Sequence, residues 1–131
     1  MAEPLPRNTP GAPLRVLVVD DERSILEIVG AALGSHELTC VQSGTEALRA
    51  AEGQRFDVVL LDLMMPGLTG ADVFQAWVEG DPLQAQRVVF MTGGAYTPAV
   101  RAFADDCHRP ILSKPFSLTA LRDAVRAAAM A

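Results

Sequence analysis

Val58-Val59-Leu60-Leu61-Asp62-Leu63-Met64-Met65-Pro66-Gly67 decides the fold of this 131-residue chain. Four apolar residues, two of them β-branched, run straight into an acid, and a Met-Met-Pro-Gly segment follows. A run without polar alternation suits a strand covered on both faces, as in a parallel sheet. Pro66 and Gly67 end it in a loop. Asp62 therefore stands where a buried strand emerges, the edge at which open α/β sheets bind ligands. An aspartate there can equally cap a turn, so its meaning rests on what the other strand ends carry.

Working outward, Leu14 to Val19 repeats the pattern and runs into Asp20-Asp21-Glu22. An amphipathic helix follows from Arg23 to about Leu33, with Ile25, Ile28, Val29 and Ala32 on one face and Gly34 as its stop. Glu37 to Val41 reads as a short strand. Ser43-Gly44-Thr45-Glu46 has capping-box spacing and opens a helix to about Glu52. The quoted stretch supplies the third strand, Asp57 to Leu61. Thr69 opens the next helix, with Val73, Phe74 and Trp77 inward.

Arg87 to Met91 is the fourth strand and ends in Thr92-Gly93-Gly94. Thr97-Pro98 reads as an N-cap followed by the first helical position, and Val100, Phe103 and Ala104 mark that helix to about Asp106. Ile111-Leu112 is a short fifth strand, ending at Ser113-Lys114-Pro115-Phe116. Ser117 caps a last helix with Leu118, Leu121, Ala124, Val125 and Ala128 at helical spacing. Five strands alternating with five helices imply a doubly wound parallel sheet with right-handed crossovers. Residues 14–129 form one domain on this reading. Residues 1–13 hold four of the nine prolines, show no periodicity, and read as a flexible tail or linker.

Composition narrows the function. Half the residues are apolar and the formal net charge is −5. No basic patch suits direct nucleic-acid binding, and no uncharged apolar stretch reaches membrane-span length. The N-terminus lacks the apolar core of a secretory signal, so a cytoplasmic location is expected. Cys40 and Cys107 have no metal-ligand spacing and read as small buried residues without a disulfide. His36 and His108 read as surface or satisfied positions. Ten arginines stand against one lysine, Lys114, so position 114 either needs a compact ammonium or is a lysine by chance.

The strand ends carry Asp20 and Asp21, Asp62, Thr92, and Lys114 with Pro115. In a doubly wound sheet they share one rim. Three carboxylates at close quarters repel, and a divalent cation relieves that; an all-oxygen set suits Mg²⁺ better than zinc. A metal beside a carboxylate, an ammonium and a hydroxyl is the equipment of phosphoryl transfer, with Asp62 as nucleophile.

At this point the chain, from Leu14 through the last helix, resembles a receiver domain of two-component response regulators. The matching residues are Val19-Asp20-Asp21, Asp62 with Met65-Pro66-Gly67 and Gly70, Met91-Thr92-Gly93, and Lys114-Pro115-Phe116. The resemblance implies a flavodoxin-like sheet of strand order 2-1-3-4-5. It implies a phosphoacceptor module, not an enzyme turning over a separate substrate. Asp62 would take a phosphoryl group from a histidine kinase or histidine phosphotransfer protein. Asp21 and Asp62 would bind Mg²⁺ directly with the Met64 carbonyl, Asp20 would act through water, and Thr92 and Lys114 would contact the phosphoryl group. A cis Lys114–Pro115 bond is implied too. Phosphorylation would shift the surface of the fourth helix, fifth strand and fifth helix, in a monomer or a weak phosphorylation-dependent dimer. Arg101, Asp105, Arg122, Asp123 and Arg126 are the charges of a dimer face or simply a solvated helical surface.

The chain departs from the family at Ile111, which stands where many receivers carry a switch Tyr or Phe; Tyr96 does not match that position. The run His108 to Phe116 resembles receivers joined to hybrid histidine kinases, and a stand-alone regulator fits equally. Met64 and Gly94, two positions after Asp62 and Thr92, offer no side chain that orients a hydrolytic water. Rival readings fare worse. A flavin mononucleotide protein needs a phosphate loop where Asp20-Asp21-Glu22 would repel phosphate. A haloacid-dehalogenase-type phosphatase needs an acid at Met64. A pseudo-receiver that binds partners without phosphorylation keeps the fold and drops the chemistry.

Overall fold

The protein is described by a computed structural model over residues 12–93 and 97–130. Five strands form one parallel sheet: β1 (Arg15–Val19), β2 (Glu37–Val41), β3 (Val58–Asp62), β4 (Val88–Thr92) and β5 (Ile111–Ser113), in the order β2-β1-β3-β4-β5. The helices are α1 (Arg23–Ala32), α2 (Gly44–Ala50), α3 (Gly70–Gly80), α4 (Pro82–Ala85), α5 (Pro98–Cys107) and α6 (Leu118–Ala129). This is the flavodoxin-like arrangement that the sequence implied, with β1 and β3 adjacent at the switch point.

The apolar runs are continuous because both faces of the sheet are covered. Alternate residues of each strand point to opposite sides. Leu17, Val19, Val59, Leu61, Val88 and Phe90 meet Ala47 of α2, Val73, Phe74 and Trp77 of α3, and Ala85 of α4. Val16, Val18, Val58, Leu60, Val89 and Met91 meet Val29 and Ala32 of α1 and Leu121, Val125 and Ala128 of α6.

Local signals set the helix starts. Ser43 Oγ accepts from the Glu46 amide at 3.1 Å, and the Glu46 carboxylate accepts from the Gln42 amide. Thr69 and Asp72 form a complete capping box. Thr97 caps α5 and Ser117 caps α6 through their hydroxyls.

Four expectations are corrected. There are six helices among the described residues, not five. Asp81 caps and Pro82 starts the single-turn α4, by the same N-cap and Pro pairing as Thr97-Pro98. Cys40 is exposed and Cys107 only half-buried, because β2 is an edge strand with one flank open and the inner face of α5 lies at the margin of the core. Ile28 and Leu118 are exposed. Ile28 sits at the border of the Ile25–Val29–Ala32 stripe, and Leu118 is the first residue of α6, before the helix runs onto the sheet. Both cysteines are free thiols, and the His36 imidazole is satisfied by accepting from the Leu14 amide at 3.0 Å. Residues 1–11, with most of the Pro-rich segment, and Gly94 and Tyr96 lie outside the described residues.

Gln84 is a buried polar residue that no sequence signal marked. Its amide accepts from the Phe56 N–H at 2.8 Å and donates to the Phe56 carbonyl at 3.1 Å, pairing with the entry to β3 as a strand would. Gln84→Leu leaves both Phe56 groups buried and unpaired, and urea denaturation is expected to show a loss of about 2 kcal/mol.

Candidate functional site

Each chemical residue is delivered by the end of a strand. Asp20 follows β1, Asp62 is the last residue of β3, Thr92 the last of β4, and Lys114 the first after β5. Register brings them level: Val19 lies beside Leu61, Asp62 beside Met91, and Thr92 beside Ser113. The Lys114 amide donates to the Thr92 carbonyl at 2.7 Å, which ties the exit of β5 to the end of β4. The Lys114–Pro115 bond is cis.

Among the described residues, Asp20, Asp21 and Asp62 each offer a carboxylate oxygen within 4.8 Å of the others. Asp20 and Asp62 are buried and Asp21 is exposed. Asp20 Oδ1 accepts from the Glu22 amide at 2.9 Å. Asp20 Oδ2 lies 2.5 Å from Lys114 Nζ in a close ion pair. That oxygen has a second lone pair beside the one facing the ammonium. Together with two neighbouring carboxylates it fits a hard divalent cation of the Mg²⁺ type.

Lys114 Nζ is also 3.6 Å from Asp62 Oδ2, with its side chain 9 % exposed. The lone lysine therefore stands as the buried counter-charge of an acidic cluster, and the chance reading is set aside. Burial alone would lower its pKa, but the hydrogen-bonding contact with Asp20 and the charges of Asp62, Asp20 and Glu22 outweigh that and raise it above the usual lysine value. Asp62 is pushed up to about 6. Burial is the largest cause, opposed by the Met64 amide, which donates to Oδ1 at 3.2 Å. Asp20 and Asp21 raise it further, and Lys114 lowers it. Thr92 is buried beside this group, at the end of β4.

The loop after Asp62 divides its two methionines. Met65 is buried in the core, whereas the Met64 side chain is 65 % exposed. Gly67 turns the loop with φ of +75°, which L side chains rarely adopt. Gly70 then lies so close to the backbone of Asp62 and Leu63 that a Cβ would strike it. Its amide donates to the Leu63 carbonyl at 3.3 Å, seating α3 directly behind the acceptor strand.

Ile111 lies half-buried opposite Phe90 and packs against the core cluster that holds an aromatic trio. Phe74, Phe90 and Phe103 meet edge-on with centroids 5.2–6.1 Å apart, joining α3, β4 and α5. Residue spacing marks Phe74 and Phe103 as inward-facing, but the mutual contact of the three needs the fold. Arg101, Asp105, Arg122, Asp123 and Arg126 are exposed on α5 and α6, and Arg122 also donates to the Ala32 carbonyl at the end of α1. No described helix is long and apolar enough to cross a membrane.

Comparison with known proteins places this geometry. The model of the response regulator receiver domain matches residues 16–126. The chain is 35 % identical over 122 residues to the response regulator MprA of a Mycobacterium species (strain KMS), covering 88 % of this chain and 50 % of that protein. It is 45 % identical over 69 residues to the probable transcriptional regulatory protein TcrX of Mycobacterium tuberculosis, covering 51 % of this chain and 30 % of that protein. The chain thus spans half or less of these curated relatives. Among solved structures, chemotaxis protein CheY4 of Vibrio cholerae superposes with a TM-score of 0.76 at 28 % identity, over 89 % of this chain and 99 % of that one. A response regulator receiver domain protein from Clostridium thermocellum gives 0.77 at 28 % identity, over 89 % and 94 %. The chain belongs to the response regulator receiver domain family of two-component systems.

Proposed function

We propose that this receiver domain takes a phosphoryl group on Asp62 from a phosphohistidine of a histidine kinase or histidine phosphotransfer protein. The observation that carries the reading is the meeting of Asp62 with the Asp20 and Asp21 carboxylates and the Lys114 ammonium at one rim. An Asp62 carboxylate oxygen attacks phosphorus, the phosphorus–nitrogen bond breaks, and the imidazole leaves with the electron pair, its nitrogen taking up a proton from solvent. Lys114 receives the charge of the equatorial oxygens, and the Thr92 hydroxyl donates to one of them. A Mg²⁺ held by Asp20, Asp21, Asp62 and the Met64 carbonyl would supply further neutralisation of that charge.

In this reading residues 14–129 are the receiver, residues 1–13 a tail or linker, and the domain acts in the cytoplasm as a monomer or weak phosphorylation-dependent dimer. It has no separate substrate to turn over. The output surface is α5, β5 and α6. Incubation with acetyl phosphate and Mg²⁺ is expected to add one phosphoryl mass to the wild type and none to Asp62→Asn. Wild type without uptake would replace this reading by a pseudo-receiver that binds partners unphosphorylated. Met64 presents a thioether with no proton-transfer capacity, so decay of the phosphorylated protein is expected to keep its rate in Met64→Leu; a marked slowing in that variant would assign Met64 a part in hydrolysis.

A further inference from the structure

The geometry points to Glu22 as a positioning residue for Lys114, an inference that rests on the phosphoacceptor reading of the same rim. Glu22 occupies the N-cap of α1 but makes no side-chain capping bond. Each of the other five helices is capped by the side chain of Ser43, Thr69, Asp81, Thr97 or Ser117. Serine, threonine, aspartate and asparagine are the residues that cap well, because their short side chains reach the amides of the first turn. Glutamate spends this position differently. Its Oε1 lies 3.8 Å from Lys114 Nζ, across the gap between β1 and β5, while its side chain stays 61 % exposed.

Lys114 therefore has three carboxylate neighbours of different kinds. Asp20 at 2.5 Å and Asp62 at 3.6 Å belong to the buried acidic group. Glu22 is the one outside that group, and it stands on the solvent side. Both buried carboxylates acquire other duties during transfer, Asp62 as nucleophile and Asp20 as part of a cation site. Glu22 alone stays free to hold the ammonium at the mouth of the site, where the arriving phosphoryl oxygens need it. The carboxylate must be on a side chain of glutamate length: an aspartate at 22 would turn back and cap α1.

That difference in reach makes the test. Glu22→Gln keeps the length and removes the charge; Glu22→Asp keeps the charge, gains the cap and loses the reach. Both are expected to slow uptake from acetyl phosphate at saturating Mg²⁺ by about two- to fivefold, the range of an exposed ion pair, while Glu22→Asp melts at or above the wild-type temperature. Because the chain has a single lysine, ¹⁵N-lysine labelling shows one side-chain ammonium signal. In metal-free protein both variants are expected to shift that signal and speed its hydrogen exchange. Glu22→Asp behaving as wild type in both readouts would overturn the proposal and leave Glu22 as diffuse charge. Shifted ammonium signals in a protein that takes up no phosphate would uphold the positioning of Lys114 and sink the phosphoacceptor reading instead. Normal uptake with unmoved signals in both variants would overturn the positioning alone.

Discussion

Metal-free Asp62→Asn is expected to be more stable than the wild type at pH 7, by up to about 3 kcal/mol for a pKa raised from 3.8 to about 6. The wild-type carboxylate is buried, with 2 % of its surface exposed, and carries two like-charged neighbours, so its ionisation works against the fold. The folded state holds the Asp62 proton more tightly than the unfolded chain does. Between about pH 4 and 6 the folded state therefore binds more protons, and stability falls as pH rises through that window. The advantage of the asparagine is full above it and vanishes below it. In thermal melts this is on the order of 10 °C at pH 7 for a domain of this size. Lys114 loses one of its carboxylates in the variant, which trims the gain without reversing it, because Asp20 remains in closer contact. Millimolar Mg²⁺ is expected to raise the wild-type melting temperature more than that of the variant and so narrow the gap. Equal melting at pH 7 without metal would mean that Lys114 already neutralises Asp62.

Gly70→Ala is expected to cost more than about 3 kcal/mol, the upper end for forced overpacking. A Cβ at position 70 would strike the Asp62 carbonyl oxygen and come within 2.9 Å of Leu63 Cα. These are backbone atoms, so no side chain can swing aside. The start of α3 must back away from β3, which breaks the Gly70–Leu63 hydrogen bond and disturbs the turn in which the Met64 amide holds Asp62 Oδ1. Denaturant unfolding should show the loss, and any folded fraction should take up phosphate poorly. Gly30→Ala is the control of opposite sign. Gly30 lies inside α1 with nothing within 4 Å of an added Cβ, and alanine there is expected to gain about 0.5–1 kcal/mol. A mild Gly70→Ala would show that α3 slides along the sheet more freely than its packing implies.

Particular elements show how much of this was legible beforehand. The three central apolar runs named their strands, because burial on both faces leaves no polar alternation to misread. Thr69, Thr97 and Ser117 named their helix starts through short-range capping. The same signal stands at Asp81-Pro82, where a single turn carries no periodicity to support it. Ile28, Leu118 and Cys40 were misplaced for a different reason. Exposure at a stripe border, a helix start or an edge strand depends on what lies next door in space. Gln84 and the Phe74–Phe90–Phe103 trio belong to that class as well.

The candidate site divides along the same line. That Asp20, Asp21, Asp62 and Lys114 would meet was readable from residue types at strand ends, because a doubly wound sheet places every carboxyl end on one rim whatever the side chains do. Distances were not readable. That Lys114 sits closer to Asp20 than to Asp62 and that Glu22 turns from its helix toward Lys114 follow from strand register and loop closure. Local pattern specifies elements and their order, since propensity, capping and burial act over a few residues. The charge balance among Asp20, Glu22, Asp62 and Lys114 arises between residues up to ninety-odd positions apart, and it exists once the sheet has brought their strands together.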